Sequence, residues 1–280
     1  MHHGTMTESH HGGPRTDLAR TCEQAGLAGA YRFRPPYPAE VFDVLESLLE
    51  EPQPPRVLDI GSGEGSLARP LIARGRVARL DAVESSAALI EAGRELPGGG
   101  HPGLRWILGE VDQAVELDGP YSLVTAGASL HWMPLRRTMA RLASGALGEQ
   151  GVVAVVEHGY HRLPWRDAID ELITRYSRKP EFDPRFSVVE ELVERGLFRK
   201  TGEHRTIPTP FRQSVGEYVE QFHSTATLAR ELMPSEEAAE FDAAVQSIVR
   251  PYATRDDSKE DVLSMEVVAS VTWGWPTAQS

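Results

Sequence analysis

The chain has 280 residues, of which 40% are hydrophobic and 25% are charged, a composition typical of one large α/β domain or of one domain with a small added unit. Its 29 basic and 41 acidic side chains give a formal net charge of −12, and no basic run compensates, so the sequence argues against a nucleic-acid partner or an anionic membrane surface. The single cysteine, Cys22, excludes an intramolecular disulfide and an all-cysteine metal cage, and no apolar run approaches the roughly 20 residues of a membrane span.

The first 29 residues contain histidines among Gly, Ser and Thr, and they lack the apolar stretch of a secretory signal. Such a segment offers no core that could fix metal-ligand geometry, so we interpret 1–29 as a flexible tail. We expect a cytoplasmic protein.

From residue 30 to about 160, apolar strands alternate with segments of helical length. Amphipathic spacing predicts helices in "PAEVFDVLESLLEE" and "SSAALIEAGREL", and another helix at 66–75 that Pro70 is expected to bend. The predicted strands are, in order, "RVLDI", "VARLDAVE", "GLRWILGE", "YSLVTAG" and "GVVAVVEHG". This alternation favours parallel βαβ units.

After Tyr160 the pattern changes. Helices are predicted in "PWRDAIDELITRYSRK" and "SVVEELVERGLF", one strand in "RKTGEHRTIPTPFR", two helices at 214–224 and 235–252, and a final strand at 263–273. We assign 30–160 to an α/β core with an N-terminal lid segment, 161–262 to further core elements and a helical cap, and 263–280 to the final strand and a tail.

The stretch "VLDIGSGEGS" places a glycine-rich turn between a strand and a helix. Glycines permit positive φ and close approach of a ligand, and the helix N-terminus offers free N–H groups. A dinucleotide fold requires G-x-G-x-x-G, but here the third glycine of that pattern is replaced by Ser66. Asp59 would repel a pyrophosphate, whereas it suits a ligand that carries an ammonium group.

The turn resembles the first motif of the class I S-adenosylmethionine-dependent methyltransferases. Glu84, at the end of the second strand, matches the acid that accepts hydrogen bonds from both ribose hydroxyls in that family. Glu110 matches the acid near the adenine amino group, with Asp112 as the alternative. "TAGASLHWM" resembles the "HW" segment of a subgroup that methylates small molecules.

The flanks extend the resemblance to the trans-aconitate methyltransferase-like subgroup. "AYRFRPPYPAEVFDVL" is similar to its N-terminal segment, and "FRQSVGEYVEQFHSTATLAREL" to its helical insertion. The resemblance implies an α/β, Rossmann-like seven-stranded sheet with an antiparallel final strand, helices on both faces and a helical cap.

The cofactor implied by the resemblance is S-adenosyl-L-methionine, with S-adenosyl-L-homocysteine as product. Arginine pairs with carboxylates and tyrosine packs over cations, so the N-terminal segment is expected to contribute to its site. The expected cofactor-binding residues are Tyr31, Arg34, Asp59, Gly61, Ser62, Gly63, Gly65, Glu84, Ser85, Glu110, Val111 and Ala126.

Three histidines are candidates for a general base, because histidine exchanges protons near neutral pH. His131 and His158 follow the fourth and fifth strands, and His223 lies in the expected cap. Each also has an explanation as a packing residue. No spacing typical of a metal site accompanies them.

These features predict methyl transfer to a small organic molecule, with an oxygen of a carboxylate or natural-product hydroxyl as the first choice and C- or N-methylation left open. The alternative is an enzyme of the same fold that binds the cofactor and catalyses a cyclisation or rearrangement. The expected partner is a small-molecule acceptor, with no nucleic acid and no membrane, and the chain is expected to be a monomer or homodimer.

Overall fold

The computed structural model describes residues 29–49, 54–113, 116–178, 186–225 and 227–277. The predicted N-terminal tail falls, except for Gly29, outside the described residues.

Nine strands of the described chain form one sheet. They are, in chain order, β1 Arg56–Ile60, β2 Arg79–Glu84, β3 Leu104–Leu108, β4 Tyr121–Gly127, β5 Leu147–Tyr160, β6 Phe198–Arg205, β7 Thr209–Ser214, β8 Thr254–Arg255 and β9 Asp261–Pro276. The main path has the order β3-β2-β1-β4-β5-β9-β6. Strands β1 to β5 are parallel, and β9 lies antiparallel between β5 and β6.

The predicted Rossmann-like sheet with an antiparallel final strand is confirmed along this seven-stranded path. The prediction of one strand over "RKTGEHRTIPTPFR" is wrong, because the chain turns at residues 206–208 and forms both β6 and β7. Both strands pair with β9, which has 16 residues and is long enough to take β6 along its C-terminal half and β7 along its N-terminal half.

Helices cover both faces of the sheet. Within the described residues they are α1 Ala39–Ser47, α2 Ala68–Ala73, α3 Ala87–Glu95, α4 Leu135–Arg141, α5 Arg166–Tyr176, α6 Val188–Glu194, α7 Val215–Glu220 and α8 Ser235–Val249. Pro70 was expected to bend this helix, but it lies within α2 without interrupting it. The helix begins at Ala68, so the proline falls in the first turn, where its missing N–H has no helical partner to lose.

The core has two layers, one on each face of the sheet, and a third cluster beside it. One layer packs the sheet against α1 and α2, and the other packs it against α4 and α6. The third cluster joins α5, α7 and α8 to the N-terminal half of β9, around the fully buried Tyr218 and Phe241. We call α5, α7, α8 and the turns between α7 and α8 the cap.

None of the helices in the described ranges is long and apolar enough to cross a membrane.

Candidate functional site

The glycine-rich turn follows β1 at the carboxyl edge of the sheet. Gly61, Gly63 and Gly65 adopt φ values of 62°, 58° and 79°, a left-handed conformation that side chains disfavour. A Cβ atom on Gly61 would lie 2.6 Å from the Cβ of Ser129, and one on Gly65 would lie 2.6 Å from the Trp106 ring. The alternation of glycines is therefore required by both the backbone conformation and the packing of the turn.

Glu84 ends β2 and fixes the turn in place. Its Oε2 accepts a hydrogen bond of 2.8 Å from the Gly63 N–H, and its Oε1 accepts one of 2.9 Å from the Ser86 N–H. Ser85 Oγ also donates to Oε1 at 3.2 Å, so Oε2 keeps a second lone pair for a ligand hydroxyl, and Oε1 can accept one in place of the Ser85 hydroxyl.

Asp59 lies in β1, just below the turn, and is almost fully buried. Its Oδ1 accepts a hydrogen bond of 2.8 Å from Thr125 Oγ1. Burial raises the pKa of Asp59 to about 7, against the opposing effect of that hydrogen bond, and the charge of Glu84 raises it further. A cation placed beside Asp59 would restore its ionised form.

These groups form the floor of a cavity of about 730 Å³ at the carboxyl edge of β1 to β4, covered by residues 29–38. Ten of the twelve residues predicted to bind a cofactor line it: Tyr31, Arg34, Asp59, Gly61, Ser62, Gly63, Glu84, Ser85, Glu110 and Val111. Gly65 and Ala126 do not. Gly65 packs against Trp106, and Ala126 is buried in the core below the cavity, so the residues that follow it, Gly127, Ala128 and Ser129, form the lining at this point.

At the β3 side of the cavity, Glu110 and Asp112 both line the cavity, but their surroundings differ. Glu110 is exposed and accepts a hydrogen bond from the Gln113 amide. Asp112 has a side chain only 4% exposed, and Arg137 Nη2 lies 3.1 Å from its Oδ2 without the geometry of a hydrogen bond. The contact balances the charge of Asp112 but leaves Oδ2 free to accept a hydrogen bond from a ligand.

The three candidate histidines occupy different places. His131 packs against Trp132, with ring centroids 5.0 Å apart, and lies outside the cavity lining. His223 is buried in the cap, where Nδ1 lies 2.8 Å from the Leu228 carbonyl oxygen and Nε2 lies 2.7 Å from Asp242 Oδ1. Both ring nitrogens of His223 are thus engaged away from the cavity, and it serves the structure of the cap. Only His158 lines the cavity.

The covering segment, residues 29–38, is held by side chains from the cap and the sheet. Arg34 Nε and Nη2 donate to the side chain and the carbonyl oxygen of Ser224, at 2.7 and 2.8 Å. Gln213 donates to the Phe33 carbonyl oxygen at 2.6 Å, and His158 Nε2 donates to the Pro35 carbonyl oxygen at 3.1 Å. The guanidinium of Arg34 also lies over the Tyr31 ring, 3.9 Å from its centroid.

Several cavity residues were missed by the sequence interpretation, among them Tyr37, Met133 and Arg137. Tyr37 stood within the quoted "PPYP" segment, but nothing in its local pattern shows that the chain folds back over the sheet. Among the described residues, no group of three or more His, Cys, Asp or Glu side chains is placed to hold a metal ion.

Comparison with known proteins shows which proteins this chain is similar to in sequence. Residues 57–151 match a family model described as a methyltransferase domain. A trans-aconitate 2-methyltransferase from Deinococcus radiodurans is 31% identical over 125 residues, which are 42% of this chain and 46% of the relative. The match thus spans about half the length of that relative.

Two solved structures share the fold. A protein from Anaeromyxobacter dehalogenans assigned as a type II methyltransferase has a TM-score of 0.58 at 20% identity, over 87% of this chain and 99% of that chain. A phosphoethanolamine N-methyltransferase 2 from Haemonchus contortus, solved with phosphomonomethylethanolamine and S-adenosylhomocysteine, has a TM-score of 0.53 at 13% identity, over 94% of this chain and 60% of that chain. Residues 57–151 are therefore similar to a methyltransferase domain, and the sheet that contains them has the fold of these two solved methyltransferases.

Proposed function

We propose that this chain is an S-adenosylmethionine-dependent methyltransferase whose acceptor is a small organic molecule, and that the methyl group goes to an acceptor oxygen. The observation that carries the proposal is the floor of the cavity, where the glycine turn and the carboxylates of Asp59 and Glu84 lie together. The neighbour that contains S-adenosylhomocysteine has the same fold, and this supports the choice of cofactor.

The residues present fit this cofactor. Asp59 suits an ammonium group, Glu84 suits two ribose hydroxyls, and Asp112 Oδ2 suits an amino group because it is buried without a hydrogen-bond partner. The carboxylates at the floor would repel a phosphate, and the glycines allow an uncharged chain to pass close to the backbone. When bound, S-adenosylmethionine supplies an electrophilic methyl group on a cationic sulfur.

The cavity also supports a small acceptor. A volume of about 730 Å³ lies within the range of small-molecule sites, and it must hold the cofactor and acceptor together. Residues of the 29–38 segment form one wall of it, which limits the access of water to the site of transfer. The curated relative is named for a carboxylate acceptor, trans-aconitate.

A carboxylate acceptor suits His158, the one of the three candidate histidines that lines the described cavity. Burial lowers the pKa of His158 to about 4, and the charge of Arg34 lowers it further, so this ring is a weak base. A hydroxyl nucleophile requires removal of its proton, whereas a carboxylate is already anionic and requires only correct positioning. We therefore favour methylation of a carboxylate oxygen.

The test is calorimetric titration with S-adenosylhomocysteine. The wild type is expected to bind, and Glu84→Gln is expected to weaken binding by about 10- to 100-fold, since hydrogen bonds to a charged group contribute roughly 1.5–3 kcal/mol. Glu91→Gln, an exposed change in α3, is the matched control and should bind as the wild type does. The absence of binding to the wild type, or equal binding by Glu84→Gln, would contradict the proposal.

A further inference from the structure

The sheet order separates the two ends of the cavity. Asp112, Glu84 and the glycine turn follow β3, β2 and β1, which are consecutive neighbours in the sheet. Beyond them come β4 and then β5, which carries His158. If the cofactor extends over β3, β2 and β1 as proposed above, His158 lies on the far side, where the acceptor must approach.

The tautomer of His158 follows from its contacts. The Pro35 carbonyl oxygen can only accept a hydrogen bond, so Nε2, which lies 3.1 Å away, must carry the hydrogen. Because burial lowers the pKa of this histidine to about 4, the ring carries only that one hydrogen near neutral pH. Nδ1 is therefore a bare lone pair that can accept a hydrogen bond and cannot donate one.

This acceptor atom has no partner within the described residues. His158 Nδ1 is buried, makes no hydrogen bond, and belongs to a side chain that lines the cavity. A buried polar atom without a partner is unfavourable by about 1–3 kcal/mol, and it is relieved when a ligand supplies the missing donor.

The neighbouring ring of Tyr37 carries a hydroxyl, a group that can donate a hydrogen bond as well as accept one. The rings of Tyr37 and His158 have centroids 4.2 Å apart, and both line the cavity. Burial, followed by the nearby Asp59 charge, raises the pKa of Tyr37, so its hydroxyl keeps its hydrogen. That hydroxyl oxygen lies 2.6 Å from where a Cβ on Gly127 would stand, so only glycine leaves room for it there.

We propose that His158 Nδ1 and the Tyr37 hydroxyl together recognise a hydroxyl group of the acceptor, and that the acceptor is a hydroxy acid. A hydroxyl both donates and accepts, so it satisfies both groups at once, whereas a second carboxylate would leave Nδ1 without a donor. The inference rests on the proposed function, and it adds the class of acceptor: the carboxylate is the group methylated, and the hydroxyl is the group recognised.

The experiment uses the full chain saturated with S-adenosylhomocysteine and measures dissociation constants for matched pairs of acids. The pairs are malate and succinate, citrate and propane-1,2,3-tricarboxylate, and 3-hydroxybenzoate and benzoate. We expect the wild type to bind the hydroxy member of at least one pair about 5- to 30-fold more tightly, the effect of about 1–2 kcal/mol for a satisfied buried group.

Two substitutions separate recognition from the attachment of residues 29–38. In His158→Gln the amide can take the place of Nε2 and keep the Pro35 hydrogen bond, but no acceptor remains at the position of Nδ1. In His158→Asn the amide oxygen can take the place of Nδ1, while the Pro35 hydrogen bond is lost. The preference for the hydroxy acid should disappear in His158→Gln and persist in His158→Asn, even if both acids bind more weakly.

Three results would overturn the inference: equal affinity of the wild type for both members of every pair, no binding of any acid in the panel, or an unchanged preference in His158→Gln. Each of these leaves S-adenosylhomocysteine binding intact. Failure of the wild type to bind S-adenosylhomocysteine is a different result, because it would refute the proposed function and this inference with it.

Discussion

A single buried carboxylate, Asp59, links the stability of the protein to the binding of its cofactor. Its pKa of about 7 lies above the usual value near 4, so the folded protein binds more protons than the unfolded chain between those two values. The free energy of unfolding of the ligand-free protein should therefore fall as the pH rises from about 4 to about 7. A bound ammonium group would reverse this effect, because it favours the ionised carboxylate.

Asp59→Asn should stabilise the ligand-free protein and weaken cofactor binding. At pH 8 we expect the free energy of unfolding to rise by about 1–4 kcal/mol, since each pKa unit corresponds to about 1.36 kcal/mol. The wild-type affinity for S-adenosylhomocysteine should decrease as the pH falls from 8 to 6, and the affinity of the variant should be lower and nearly independent of pH. Urea denaturation and calorimetry measure the two quantities.

Glu91→Gln, at an exposed position in α3, is the control for the loss of one negative charge. A variant at Asp59 that is no more stable than the wild type at pH 8, or that binds with unchanged pH dependence, would show that the carboxylate is ionised in the ligand-free protein.

The candidate residues whose positions could be predicted are those that follow from local chain order. Gly61, Gly63 and Glu84 each lie at the end of a predicted strand, and parallel strands place their ends at one edge. The preference for Glu110 over Asp112 could not be settled in this way, because it depends on which carboxylate turns inward. His158 lines the cavity and His223 does not, and that difference depends on how residues 29–38 and the cap pack.

At the scale of elements, the cap is held together by a half-exposed cluster of polar side chains around the buried His223. His223 is only 3% exposed and lies between the Leu228 carbonyl oxygen and Asp242 of α8. Asp242 also accepts a hydrogen bond of 2.8 Å from Arg230, which in turn pairs with Glu220 of α7. The cluster thus connects α7, α8 and the turn that precedes Ser224, the residue that binds Arg34.

Asp242→Asn should destabilise the protein by about 1–3 kcal/mol, because it weakens the hydrogen bond to the buried His223 and the pairing with the half-exposed Arg230. Glu237→Gln is a matched control on the same helix, since the Glu237–Arg178 pair is about as exposed as the Asp242–Arg230 pair but contains no buried side chain, so it should contribute less than about 1 kcal/mol. Urea denaturation followed by circular dichroism measures both. Equal effects of the two substitutions would mean that burial of His223 adds nothing to the strength of the cluster.

The elements themselves were largely predictable, and the exceptions have physical reasons. The core strands have continuous apolar runs that only a buried parallel sheet accommodates. The division of β6 from β7 was missed because both segments are half-polar strands on the same partner, and the intervening turn lacks glycine. The effect of Pro70 on α2 could not be predicted, because it depends on the residue at which the helix begins, and helix propensity does not determine that residue.

At the scale of the whole molecule, the cavity joins the carboxyl edge of the sheet to residues 29–38, which the cap holds in place. The carboxylates of Asp59 and Glu84 make the floor of the cavity acidic, whereas Glu64 pairs with Arg69, and Arg32, Arg34 and Arg137 also line the cavity. A nucleoside that carries an amino acid should therefore bind, whereas a nucleoside that carries phosphates should be repelled, although both share the adenosine part.

Thermal unfolding in the presence of S-adenosylhomocysteine or ADP tests this electrostatic selection. A ligand at 100 times its dissociation constant adds about 2.7 kcal/mol to the free energy of unfolding, which corresponds to roughly 5–10 °C in a chain of this size. We expect a shift of that order with S-adenosylhomocysteine and less than about 1 °C with the same concentration of ADP. Adenosine should give a small shift, because it lacks both the repelling phosphates and the ammonium group that Asp59 favours. A shift with ADP equal to that with S-adenosylhomocysteine would mean that the cavity selects adenosine alone, and that the acidic floor does not discriminate between the two classes of ligand.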